Sequence, residues 1–169
     1  SLSLFALPTL MDRAMQSRIA NDRLHDVRIP MMDIELTPAD CDSLAALPGV
    51  AAIESRTTYF GEVRIGDRRE DLVLVGVRDF ASQQVNVVEL QQGEVPSGDG
   101  VLSDAENASS GRLKPGAVAT LQVEDNSGQL HEVSLSGVGR TLQYSQEAFE
   151  GSVVLYASQE TVNRIAGAR

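Results

Sequence analysis

The alternation of apolar and polar positions is most regular between residues 37 and 56, where it predicts a short helix and then a strand. Four apolar positions have the i, i+3, i+4, i+7 spacing of one helix face: Cys41, Leu44, Ala45 and Pro48. Thr37 is a favourable N-cap, and Pro38 suits the first helical position because its missing N–H costs nothing there. Pro48 and Gly49 end the helix, and the apolar run 50–53 predicts a strand.

The same criteria predict further elements along the chain. Strands are predicted where apolar residues alternate with polar ones or run continuously, at 27–36, 53–65, 72–77, 101–103, 117–124, 129–138 and 153–157. Helices are predicted at 9–24, at 104–108 and, after the cap Ser158, up to Gly167. Residues 72–77 are apolar on both parities, which predicts a central strand buried on both faces. Residues 81–100, with one short helix or strand at 85–90, and residues 140–151 are predicted to be loops.

Composition fits a globular chain and excludes several classes of function. The 169 residues suffice for one domain or two small ones, and 42% of them are hydrophobic. A net charge of −10, with no basic cluster larger than Arg68-Arg69, argues against a nucleic-acid surface. No apolar run approaches the roughly 18 residues of a membrane span. The first residues lack the basic start of a signal peptide and an initiating Met, so we expect the chain to be cut from a longer protein.

Motifs for catalysis, metals or nucleotides are missing from the sequence. His25 and His131 lack zinc-ligand spacing, and Cys41 is predicted to be a buried apolar thiol. Ser103-Asp104 is interpreted as a helix cap because no base accompanies the serine, and Asn107 begins a chance glycosylation pattern. Acidic residues on predicted wet faces are interpreted as solubilising: Asp40, Asp42, Asp67, Glu70 and Asp71. The sequence therefore predicts no enzyme, no cofactor and no metal site.

Several segments occur in an order that resembles a known family. They are L-A-A-L-P-G-V-A-A-I-E-S-R at 44–56, V-L-V-G-V-R-D-F at 73–80, L-Q-Q-G-E-V-P at 90–96, V-L-S-D at 101–104, G-R-L-K-P-G-A-V-A-T-L at 111–121 and V-V-L-Y-A-S-Q-E-T-V at 153–162. Each segment is a turn or a strand. The ordered set resembles, from residue 27 onward, the extracytoplasmic (periplasmic core) domain of the FtsX-like, MacB-type ABC transporter permeases of bacteria.

The resemblance implies an α+β fold with a porter-like strand-helix-strand base layer and an inserted β-rich, sabre-like subdomain. Residues 1–26 would be a helix continuing from a membrane helix. Residues 27–58 together with 151–169 would form the base, and residues 59–150 the insertion. Family domains continue with a further strand-helix-strand unit, so the layer is expected to be incomplete here.

The function implied by the resemblance is coupling of ATP-driven motion in the membrane to the handling of a substrate or partner outside it. The implied location is the extracytoplasmic side of the cell membrane. The partners would be transmembrane helices of the same polypeptide, indirectly a cytoplasmic ATPase subunit, and an extracytoplasmic adaptor, hydrolase or lipoprotein. Contact surfaces in the family lie on loops, so Phe80, Tyr144 and Phe149 are predicted to be exposed anchors for a partner. The alternative is that these aromatic residues cover the edge of the β core.

Two other classes of function stay open at this stage. A stand-alone extracellular ligand- or protein-binding module would have an apolar pocket and would be stabilised by its ligand. An enzyme with scattered catalytic residues would have a cleft with at least two convergent titratable groups.

Overall fold

A computed structural model describes residues 16–17, 23–31, 36–113, 120–144 and 150–167. Helices and strands are mixed along the chain, which confirms the α+β class. The helices are α1 (Pro38–Ala45), α2 (Ala105–Ser109) and α3 (Gln159–Ala166). The strands are β1 (Thr58–Ile65), β2 (Arg68–Val77), β3 (Glu89–Gly93), β4 (Gly100–Asp104), β5 (Thr120–Glu124), β6 (Leu130–Arg140) and β7 (Val153–Ser158).

Six of these strands close into a ring. The pairing order is β6-β4-β7-β2-β1-β5, and β5 pairs back onto β6. β6 is long enough to join both neighbours, because its first residues pair with β5 and its later ones with β4. The β2–β7 and β4–β6 ladders are parallel, whereas the other ladders of the ring are antiparallel. β3 lies outside the ring and pairs with the end of β6.

Because successive side chains of a strand point to opposite faces, the apolar residues form two clusters. The larger cluster fills the inside of the ring, where α3 contributes Val162 and Ile165. The smaller cluster, here called the outer cluster, lies on the opposite face and contains Val73, Val75, Val77, Val88, Leu102, Tyr144, Val154 and Tyr156. β2 supplies residues to both clusters, which confirms the prediction that it is a central strand buried on both faces.

The predicted caps at Thr37, Ser158 and Gly167 are confirmed, whereas α1 ends at Ala45, three residues before the predicted stop at Pro48 and Gly49. The Thr37 backbone N–H donates to Asp40 Oδ2 over 2.9 Å, and the Asp40 backbone N–H donates to Thr37 Oγ1 over 3.2 Å. The hydrogen bond from the Thr37 hydroxyl lowers the pKa of Asp40. Ser158 caps α3 by accepting from the Thr161 N–H, and Gly167 ends that helix with a φ of 68°.

Two of the predicted strands are wrong where the structure describes them. Residues 27–31, residue 36 and residues 50–53 carry no strand, although their apolar patterns predicted it. The ring closes on itself without them, and they pair with none of the described strands, so their apolar runs lack the ladder hydrogen bonds that a strand needs. Most of the predicted helix 9–24 lies outside the described residues, as do 32–35 and 117–119.

The position of β7 bears on the predicted division of the chain. β7 and α3 were assigned to the base, whereas the strands of residues 59–150 were assigned to the insertion. β7 pairs with β2 on one side and with β4 on the other. Any boundary drawn between base and insertion therefore crosses these two ladders, and the division itself stays a prediction.

Candidate functional site

Two of the three aromatic residues predicted to contact a partner lie among the described residues. Tyr144 is only 2% exposed and packs against Tyr156, with the ring centroids 6.3 Å apart and the planes tilted by 58°. Phe80 is half-buried against the same outer cluster. Tyr144 is therefore not the exposed anchor that was expected, because it fills the outer cluster. Phe149 lies outside the described residues, and contact of any of the three with a partner stays a prediction.

The loop of residues 79–88, here called the anchor loop, is held by its own side chains. Asp79 accepts from the Ala81 N–H and the Ser82 hydroxyl, and the bond from Ser82 is the main reason why the pKa of Asp79 is lowered. Gln83 donates to the Phe80 carbonyl and also accepts from the Val88 N–H over 2.8 Å. Hydrogen bonds within the loop therefore stabilise its turns.

A buried ion pair fastens the anchor loop to the segment that leads into β1. Arg56 Nη2 lies 2.9 Å from Glu54 Oε1, and the two side chains are 7% and 14% exposed. The other oxygen of Glu54 accepts from the backbone N–H groups of Gln84 and Val85 over 3.1 and 3.0 Å. Arg56 Nη2 in turn donates to the Val85 carbonyl and to the side chain of Gln83. Both charges are thus used to hold one loop.

The chain near its amino-terminal end is attached to the same loop. The Asn86 backbone N–H donates to the Arg23 carbonyl over 2.9 Å. Asn86 Oδ1 accepts from the His25 N–H over 3.0 Å and lies 3.0 Å from His25 Nδ1. Because Oδ1 is only an acceptor, Nδ1 must carry the proton in this arrangement. The anchor loop therefore joins residues 23–25, residues 54–56 and the outer cluster, and we take it as the candidate functional site.

A second polar group is buried beside the outer cluster. The Tyr156 hydroxyl donates to Asp104 Oδ2 over 2.6 Å, and Asp104 Oδ1 accepts from the Glu106 N–H at the start of α2. Burial raises the pKa of Asp104 and raises that of Tyr156 well above its usual value. Asn107 is also buried and donates to the Val154 carbonyl. Asp104 is thus a structural cap, and folded Asn107 is not accessible for glycosylation.

The end of the β1–β2 hairpin carries a mixed charged surface. Arg69 lies 2.8 Å from Glu124 and 3.1 Å from Glu62, and Arg64 shares Glu124 at 3.4 Å. The arginines border an open cavity of about 340 Å³. Phe60, which lies on the same face of β1 by alternation, is 66% exposed. Phe60 is an exposed aromatic residue that the sequence pattern did not reveal, because it lies at one of the alternate positions of its strand that are otherwise polar.

The remaining candidates have structural roles. His131 Nε2 lies 2.8 Å from Asp125 Oδ2, so the imidazole is paired with a carboxylate of the turn between β5 and β6. This bond is the main reason why the pKa of Asp125 is lowered. Cys41 is buried, as predicted. Across the described ranges, no three His, Cys, Asp or Glu side chains are arranged to hold a metal ion, and no helix is long and apolar enough to cross a membrane.

The residues at the anchor loop were missed for an identifiable reason. Glu54 and Arg56 are two positions apart in extended chain, which places them on one side, but nothing local shows what they would hold. Their partners are about 30 residues away along the chain. Asn86 adopts a positive φ of 50°, a conformation that Asn tolerates better than most residues, so an Asn in a predicted loop was the only local signal.

The fold is similar to that of two solved structures. The extracellular domain of the noncanonic ABC-type transporter YknZ from Gram-positive bacteria has a TM-score of 0.52 and 15% identity, with 79% of this chain and 67% of that one covered. The periplasmic region of MacB from Actinobacillus actinomycetemcomitans has a TM-score of 0.51 and 17% identity, with 80% of this chain and 60% of that one covered. No protein-family model and no curated protein matches the chain.

These similarities confirm the resemblance inferred from the ordered segments. The chain has the fold of extracellular and periplasmic domains of ABC-type transporter permeases. Both solved structures belong to transporters, and the chain spans about three fifths of the MacB region.

Proposed function

We propose that this chain is an extracytoplasmic domain of an ABC transporter permease that couples ATP-driven motion of the membrane part to the handling of a substrate or partner outside the membrane. The fold similarity to the YknZ and MacB domains carries the proposal. Support also comes from the anchor loop, which follows β2 of the ring and is hydrogen-bonded to residues 23–25 through Asn86. While that attachment is held, movement of the preceding chain would reach the ring through it.

The partners in this proposal are transmembrane helices of the same polypeptide, a cytoplasmic ATPase subunit acting indirectly, and an extracytoplasmic adaptor, hydrolase or lipoprotein. The domain itself performs no chemistry. Support comes from its polar clusters, in which Asp104 serves as a helix cap and Asp125 holds a turn.

The porter-like and sabre-like division is part of the proposal. Residues 1–26 continue a membrane helix, residues 27–58 with 151–169 form the base, and residues 59–150 form the part inserted into it. Support comes from α1 and residues 50–57, which lie outside the ring and are attached through connecting loops. β7 would then be the segment shared by both parts, since its ladders join it to β2 and β4.

The location is tested by thiol labelling of the complete protein in intact cells. Cys41→Ala removes the native thiol, and Ser127→Cys places a new one in the exposed turn between β5 and β6. A membrane-impermeant maleimide is expected to label Ser127→Cys without lysis. Ser103→Cys, at a fully buried position, is the matched control and is expected to react only after denaturation. Labelling of Ser127→Cys only after lysis would overturn the proposed location.

Coupling is tested with the complete transporter in nanodiscs. Hydrogen exchange of peptides covering residues 23–31 and 79–88 is measured without nucleotide and with ATP plus vanadate. We expect a nucleotide-dependent change at these peptides that disappears when the ATPase subunit is catalytically inactive. Identical exchange in all three states would contradict coupling and favour a stand-alone binding module.

A further inference from the structure

Few hydrogen bonds hold the amino-terminal chain to the anchor loop. We call residues 23–31 the strap. Its described hydrogen bonds to the loop all pass through Asn86, which accepts from His25 and donates to the Arg23 carbonyl. Farther along the strap, Val27 and Ile29 are 74% and 72% exposed, so their apolar side chains contribute little packing. The hydrogen bonds that hold the strap therefore converge on one residue, and of its apolar side chains Leu24 is partly buried whereas Val27 and Ile29 are exposed.

More contacts hold the same loop to the rest of the domain. The side chains of Glu54 and Arg56 are largely buried, and between them they bond Gln83, Gln84 and Val85. Val88 at the end of the loop is 4% exposed within the outer cluster. Separating the loop from the domain would break the four hydrogen bonds that Glu54 and Arg56 make to it and would expose the apolar side chain of Val88, whereas releasing the strap breaks only the hydrogen bonds at Asn86.

We propose that the strap is a releasable element: it detaches from Asn86 while the anchor loop stays on the ring. The unequal numbers of contacts on the two sides of the loop place the weakest point at Asn86, and local opening occurs first where the fewest buried contacts are lost. Release lets the chain before residue 23 move without unfolding the ring. It is a property of this chain alone and does not depend on the proposed transport function.

Asn86 has two roles that substitution can separate. Its positive φ is needed for the turn, and its side-chain oxygen is needed to hold His25. Asn86→Gly keeps the backbone conformation at no steric cost and removes only the acceptor. Asn86→Asp keeps an acceptor and tolerates the same φ. The first variant is therefore expected to free the strap, and the second is the matched control.

Limited trypsin digestion measures the release of the strap directly. Arg23 and Arg28 are cleavage sites on the strap, and Arg78 is an exposed site directly before the anchor loop. In Asn86→Gly we expect cleavage at Arg23 and Arg28 to be about tenfold faster, the effect of losing one to two net hydrogen bonds. Cleavage at Arg78 and the melting temperature are expected to be unchanged, and Asn86→Asp is expected to behave as the native chain.

Two results would overturn the inference. Cleavage of the strap in Asn86→Gly within about twofold of the native rate would show that Asn86 does not hold it, since losing even one net hydrogen bond changes the equilibrium by more. Equal acceleration at Arg78 would show that the loop leaves together with the strap.

Discussion

Removing the guanidinium of Arg56 is expected to be among the most damaging single changes in this domain. In Arg56→Leu the Glu54 carboxylate stays buried without its cation, and the Val85 carbonyl loses a donor. Breaking a buried pair by removing one partner typically costs about 3–5 kcal/mol. Because the Glu54 side chain retains 14% exposure, we expect about 3 kcal/mol, at the lower end of that range.

A second substitution should recover part of that loss. Glu54→Gln removes the charge but keeps an oxygen for the Gln84 and Val85 N–H groups. The double variant Arg56→Leu/Glu54→Gln is therefore expected to be about 1–2 kcal/mol more stable than Arg56→Leu alone. Exposed Arg78, whose only described hydrogen bond goes to Ser55, gives the control Arg78→Leu, expected to change stability by less than about 0.5 kcal/mol.

Urea unfolding followed by far-ultraviolet circular dichroism measures these differences, because the chain has no Trp for fluorescence. The reasoning is refuted if Arg56→Leu costs less than about 1 kcal/mol, well below the usual cost of an unpaired buried charge. It is equally refuted if adding Glu54→Gln makes the Arg56→Leu variant less stable.

Three smaller predictions concern strands and turns. The aromatic ring of Tyr59 lies over Gly61, and a Cβ added at Gly61 would be 2.6 Å from Tyr59 Cε1. Gly61→Ala should therefore cost about 1–3 kcal/mol of stability in the same unfolding assay, and no loss of stability would contradict this packing. The pKa of Asp125 is lowered on folding, so its stabilisation is present above the ordinary Asp value and is lost as the pH falls. In Asp125→Asn the urea midpoint of unfolding should therefore depend less on pH in the acid range. The pKa of Asp104 is raised by burial, so stability should fall as the pH rises above the ordinary Asp value, and Asp104→Asn, which can still cap α2, should remove that slope. An unchanged pH profile in either variant would show that the carboxylate is not the group that titrates.

Local patterns predicted the elements whose signals are contained in a few neighbouring residues. The cap at Thr37, the strand-to-helix unit around Ser158 and the buried strand 72–77 were all predicted in this way and are confirmed. The strands expected at 27–36, in its described residues 27–31 and 36, and at 50–53 failed because an apolar run forms a strand only where a neighbour supplies hydrogen bonds. Closure of the ring decides which edges are free, and no local pattern reports that closure.

The candidate site was largely invisible for a related reason. Phe80 and Tyr144 were chosen because aromatic residues in loops are frequent anchors, yet Tyr144 is buried against Tyr156. Glu54, Arg56 and Asn86 are polar residues in segments without periodicity. Their roles depend on partners about 30 to 60 residues away, so only the folded chain brings them together.

The parallel ladders make one further prediction about how the domain is divided. β7 completes the ring by lying between β2 and β4, and the residues of β2 and β4 that pair with it are all buried. A chain of residues 59–150 alone would therefore leave two apolar strand edges unpaired, and such edges favour aggregation. We expect this fragment not to fold, whereas residues 57–169 keep all six ring strands and are expected to fold without α1. Dispersed amide signals from fragment 59–150 by nuclear magnetic resonance would show that it is autonomous. In that case β7 would be an addition to an already stable insertion, and the ring would not be the folding unit.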